Sequence, residues 1–122
     1  MYNFATMNVE ELREYCLSLD HVEEAMPFGD DTLVFKVGGK MFALLPLDGT
    51  LRINLKCDPD EAVELRETYA AVKPGFHMNK RHWNTVLVNG SVSDGLLKKW
   101  IGNSYDLIIA GLSKKEKAGL GL

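Results

Sequence analysis

Between Pro74 and Gly90 the chain reads PGFHMNKRHWNTVLVNG, and His77, Asn79, Lys80, Arg81, His82, Trp83 and Asn84 fall within that stretch. These residue types suit nucleic acid. Lys73, Lys80 and Arg81 can neutralise phosphates, His77, Asn79 and Asn84 can add hydrogen bonds, and an exposed Trp83 offers a ring on which a base can stack. They suit a metal poorly. His77 and His82 are five apart, which does not place two imidazoles on one helix face, and His21 is distant in sequence. Either histidine could serve as a general base, but no serine, cysteine or second carboxylate stands in a recognisable motif with it. A structural role is also open. The polar side chains can satisfy loop backbone groups that lack a ladder partner before the chain enters a strand.

Other candidate chemistry is sparser. Asp20, Glu23, Glu24, Asp30 and Asp31 form an acidic loop able to offer oxygen ligands to a hard cation. Unordered surface carboxylates hold divalent ions weakly, so no metal site is expected there. Gly38, Gly39, Gly49 and Gly90 are accounted for by turns, which leaves no phosphate-cradling loop and no dinucleotide fingerprint. No cofactor is expected, and the chain reads as a binding module rather than an enzyme. Cys16 and Cys57 are too few for a disulfide framework or a zinc site and read as reduced thiols of a cytoplasmic protein.

The elements that must position these residues are legible from patterning. At 122 residues the chain is expected to form one domain over 1–122, with a core that needs no staples. With 46% hydrophobic and 25% charged residues it has the profile of an ordinary globular protein, and its net charge of −3 argues against a strongly basic nucleic-acid binder. The acidic N-terminal stretch lacks the apolar run of a signal peptide, and no segment is long and apolar enough to span a membrane. Charge is uneven. Residues 1–31 hold eight acids and one base, whereas residues 73–100 hold five Lys/Arg and one acid. Such an asymmetry can steer a charged partner towards one face.

Asn8 reads as an N-cap, with Val9, Leu12, Cys16 and Leu19 at helical spacing behind it, so a first helix is expected over about 8–19. TLVFKV, MFALL and LRINLK follow as three strands, joined by Gly38-Gly39 and Asp48-Gly49 turns. Asp58-Pro59 opens a second helix, TVLVN is a fourth strand, Ser93 caps a long helix, and SKKE is the capping box of a short last one. The order α-β-β-β-α-β-α(-α) points to an α+β fold, an antiparallel sheet with helices on one face. Alternation along the strands buries Leu51, Ile53 and Leu55 under the helices. Lys36, Arg52, Asn54, Lys56 and Thr85 then face the other way, an open and cationic sheet face. Trp100 is expected in the core and Trp83 partly accessible.

HMNKRHWNTVLVNGSVSD, preceded by LREYCLSLDHVEEAMPFGDD and LRINLKCDP and followed by SYDLIIAGLSKKE, resembles the pattern of the MmcQ/YjbR-like family over about Asn8 to Leu120. That bacterial family has a frataxin-like (CyaY-like) fold, and the resemblance implies DNA binding with β-hairpins as wings. It supplies no catalytic residues. The expected surface therefore comprises Lys36, Arg52, Asn54, Lys56, Lys73, His77, Asn79, Lys80, Arg81, His82 and Trp83. DNA, bound weakly and with strong salt dependence, is the leading partner of what is expected to be a monomer. The alternative is an adaptor using the same surface for a protein or small ligand. A continuous positive stripe reaching Lys80 and Arg81 would favour nucleic acid, and a neutral concave pocket near His77 and Trp83 would favour a small ligand.

Overall fold

A computed structural model describes residues 6–122. Among the described residues, four helices are each started by a side chain that satisfies otherwise orphaned backbone N–H groups. Asn8 and Glu11 form a reciprocal capping box on α1 (Val9–Ser18). Asp58 accepts from Asp60 N and Glu61 N at the start of α2 (Pro59–Thr68), where Pro59 has no N–H to leave unpaired. Ser93 caps α3 (Asp94–Gly111), and Ser113 with Glu116 forms a second capping box on α4 (Lys114–Gly119).

Among the described residues the sheet has six strands, all paired antiparallel: β1 (Glu23–Ala25), β2 (Thr32–Val37), β3 (Lys40–Pro46), β4 (Arg52–Lys56), β5 (Val72–Pro74) and β6 (Trp83–Leu87). Their spatial order is β1-β2-β3-β4-β6-β5. This is the expected α+β architecture with two additions. β1 and β5 are three-residue edge strands, too short to carry a period-2 signal. The β2–β3 turn uses Gly38 and Gly39 at φ 60° and 78°, the left-handed region a two-residue hairpin turn requires.

α3 lies across β2, β3 and β4, and α2 covers β5 and β6. Between helices and sheet, Leu12, Cys16, Phe35, Phe42, Leu45, Ile53, Leu97 and Ile101 are fully or nearly fully buried in one core. Trp100 joins them at 6% exposure and meets Tyr69 edge to face at 5.1 Å. A register shift between Phe35 and Lys36 leaves Phe42 as an extra residue of β3. Ser104 of α3, wholly buried, repairs the disturbed ladder: its hydroxyl donates to Phe42 O and accepts from Lys56 N. Among the described residues, no helix is long and apolar enough to cross a membrane.

Candidate functional site

The sheet face away from the helices is organised in rows by strand register. Ala25, Val34, Leu44, Asn54, Thr85 and Lys73 run across the middle as successive cross-strand partners. By alternation, Thr32, Pro46, Arg52 and Leu87 lie to one side of this row, and Lys36, Lys56 and Trp83 to the other. The expected assignment of faces therefore holds. Ile53 and Leu55 are buried and Leu51 is half-buried under the helices.

The expectation that the opposite face is open to solvent needs correction. Asn54 and Thr85 are 6% and 4% exposed, and Arg52, Lys56 and Lys36 are half-buried. Over Asn54 and Thr85 the cause is the segment from Gly75 to His82, which folds back onto the sheet. Phe76 N donates to Thr85 Oγ1 at 2.9 Å, and Thr85 Oγ1 donates to Asn54 Oδ1. Gly75 enters this segment so close to β6 that a Cβ there would lie 2.8 Å from Trp83 O. Asn79 Oδ1 accepts from Arg81 N and His82 N, and Lys80 Nζ donates to Gly75 O at 2.9 Å. His77 stands at φ 59°, a left-handed conformation costly for a residue with a Cβ, and its ring lies 4.3 Å from that of Phe76. Of His77, Asn79, His82 and Asn84, the side chains expected to satisfy loop backbone groups, Asn79 does so, and Lys80 adds a bond of the same kind.

Asn84 is not available to a ligand on this face. Its register opposite Leu55 turns it to the helix side, where it is buried, accepts from Arg66 Nη1 at 3.0 Å and donates to Ala62 O. Arg66 also donates to Lys80 O, so α2 grips the start of β6 and the loop before it.

Phe76 separates two hollows. One, of about 410 Å³, is lined by Phe28, Asp31, Thr32, Leu44, Pro46, Asp48, Arg52, Asn54, Phe76, His77 and Met78. The other, of about 430 Å³, lies between Arg52, Lys73, Phe76, Thr85 and Leu87. Phe28 and Phe76 remain 59% and 60% exposed, which is unusual for large apolar rings. Neither aromatic had been singled out from sequence, since an exposed Phe carries no periodic signal.

Charge in this region is interleaved. Arg52 Nη1 donates to Asp48 O and Thr50 O, and its Nη2 faces Asp48 Oδ1 at 3.5 Å. Lys36 stands across from Glu23. Lys73, Arg81 and His77 are exposed, and His82 and Trp83 are half-buried. Among the described residues, no group of three or more His, Cys, Asp or Glu is gathered as metal ligands would be. Burial pushes the Cys16 thiol up to about 12, and burial together with Glu61 and Asp58 pushes Cys57 to about 11, so neither is a thiolate at neutral pH.

The YjbR family model matches residues 17–107. The chain belongs to the YjbR family. Among relatives of this YjbR chain, the uncharacterized protein YbdF of Escherichia coli O157:H7 is 40% identical over 109 residues, 88% of this chain and 89% of that protein. The uncharacterized protein YjbR of Escherichia coli K12 is 28% identical over 112 residues, 91% of this chain and 95% of that one. The crystal structure of a Deinococcus radiodurans protein with a DUF419 domain, 40% identical, superposes with a TM-score of 0.88 and covers all of this chain and 93% of that one. A Pseudomonas syringae protein, 28% identical, gives 0.74 over 83% of this chain and 98% of that one.

Proposed function

We propose that this YjbR-family chain is a binding module that seats a small ligand in the hollow bounded by Phe28, Arg52, Asn54 and Phe76. The observation that carries the reading is a cleft of about 410 Å³ whose buried floor sets the Asn54 amide among apolar Leu44 and Pro46 while its aromatic rims are left exposed. Clefts of about 300–1,000 Å³ with apolar walls and a few placed polar groups are the usual seats of small molecules. The loop that forms one wall is held at several points by its own hydrogen bonds, so little ordering would be needed on binding. Interleaved acids and bases favour this reading over a polyanion.

The test is a small-molecule screen by backbone-amide NMR. Hits that shift Asn54, Phe76, His77 and Thr85 together support the cleft. Hits that map only to α2 or α4 would move the site elsewhere and overturn the reading.

Nucleic-acid binding is the second reading, favoured by one observation: Lys36, Lys56, Lys73 and Trp83 share the cleft's side of the sheet. Those cations would meet phosphates and Trp83 would meet a base. Anisotropy with a labelled duplex at about 50 mM salt tests it, since a modest phosphate contribution is strongest there. No binding at tens of micromolar protein would remove it.

A further inference from the structure

The floor of the cleft specifies the chemistry of its occupant. Asn54 is more than nine-tenths buried, and its Oδ1 accepts the Thr85 hydroxyl proton. That hydroxyl also accepts from Phe76 N, and because its one proton goes to Asn54 Oδ1 the amide is oriented with its oxygen towards β6. With Oδ1 taken by Thr85, Nδ2 is the remaining polar group of a side chain that lines the cleft. It makes no hydrogen bond to any described residue, and it is not among the side-chain atoms sealed from solvent. Asn54 thus presents amide donors to the cleft, and an occupant that covered them without an acceptor would leave them unpaired at a cost.

Charge narrows the choice. Asp31 and Asp48 both line the cleft, and Arg52 is already engaged by Asp48 and two turn carbonyls. A phosphate or carboxylate would meet two carboxylates and one occupied guanidinium. A quaternary ammonium would suit the rings and the carboxylates but leave the Asn54 donors unmet. A neutral ring meets every condition. Its faces would contact Phe28 and Phe76, a carbonyl would accept from Asn54, and a ring N–H would find an acceptor in Asp31 or Thr32.

Resting on the cleft reading above, we propose that the site takes a neutral planar ring with a lactam edge, N–H beside C=O, held by Asn54 Nδ2 and walled by Phe28 and Phe76. Uracil is the smallest probe of this class. Benzoate and tetramethylammonium represent the anionic and cationic alternatives.

The experiment titrates each probe into the isotope-labelled protein and follows the Asn54 side-chain NH₂ pair and the amides of Phe76 and His77. For so small a ring, saturable shifts with a Kd of about 1–10 mM are expected from uracil. Asn54→Asp keeps the acceptor for the Thr85 hydroxyl but removes the donors, and should weaken uracil about tenfold. Phe76→Ala alters an exposed ring, leaves the core untouched, and should weaken it to a similar degree. Unchanged amide spectra away from the cleft check that both variants fold. If benzoate or tetramethylammonium moved the cleft signals and uracil did not, the cleft would stand and the lactam class would fall. Uracil binding unaffected by Asn54→Asp would overturn the role of Asn54. Silence of the cleft to all three probes would overturn this inference, and the wider screen then decides the cleft itself.

Discussion

Ser104 shows how much one small polar residue can carry. It is fully buried in α3, yet it serves two backbone groups, Phe42 O and Lys56 N, where the β3–β4 ladder is interrupted beside a bulge. Ser104→Ala should strand both and cost about 2–4 kcal/mol, read as a lower urea midpoint with an unchanged m-value. Cys16 makes a prediction about pH. Burial raises its thiol from 9.0 to about 12 in the folded protein. Below pH 9.0 both states keep the proton and the group has no effect. Above it the unfolded thiol ionises first, so stability is lost as pH rises from about 9 towards 12. The Tyr105 hydroxyl, raised chiefly by desolvation, acts in the same direction. Urea midpoints at about pH 8 and about pH 10 should therefore fall less in Cys16→Ala than in the parent chain, whatever the variant loses in packing.

Among the elements, the β2–β3 hairpin offers a clean comparison. Gly38 and Gly39 both adopt positive φ, so an alanine at either costs about 1 kcal/mol in backbone strain. Their surroundings differ. A Cβ on Gly39 meets nothing within 4 Å, whereas one on Gly38 comes within 2.8 and 2.9 Å of the two Leu112 methyls at the end of α3. Gly38→Ala should be the more destabilising by about 1 kcal/mol or more, because Leu112 is buried and must shift. Equal thermal midpoints for the two variants would mean that the turn does not press on α3. The segment between β5 and β6 is held in a comparable way. Gly75, Asn79 and Lys80 fix its backbone from within, and Arg66 of α2 fixes it from outside.

At the scale of the molecule, the charge asymmetry of the chain is redistributed by the fold. Lys98 and Lys99 are exposed on α3, on the helical side, and Lys98 lies 5.4 Å over the Tyr15 ring. Lys73 belongs to β5 and the opposite sheet face. The basic stretch of residues 73–100 is therefore not one surface. Lys80 and Arg81 differ as well, since Lys80 closes its own loop while Arg81 has no such partner among the described residues. On the nucleic-acid reading, Arg81→Ala should flatten the dependence of log K on log salt by about 0.9 and leave stability unchanged. Lys80→Ala should instead loosen the loop and lower the thermal midpoint. Matching salt slopes for parent and Arg81→Ala would place any bound phosphate away from this loop.

Local signals were enough for much of this architecture. Asn8, Asp58, Ser93 and Ser113 act on N–H groups two or three residues away, and Gly38-Gly39 sets its own turn, so each can be read from neighbours in sequence. Alternation in β2 and β4 likewise assigned the faces, and the apolar stripe of α3 assigned Trp100 to the core. Tertiary structure decided the rest. β1 and β5 exist because longer strands beside them offer unpaired edges, not because three residues can show a period. Asn54 was expected in solvent because alternation gives the side of a sheet and not what lies over it. It is buried because the segment after Pro74 folds back and bonds to Thr85, which is 31 residues from Asn54 in sequence. Ser104 meets Phe42 across 62 residues. The cleft is made of such encounters between distant segments, and no spacing within any one of them encodes it.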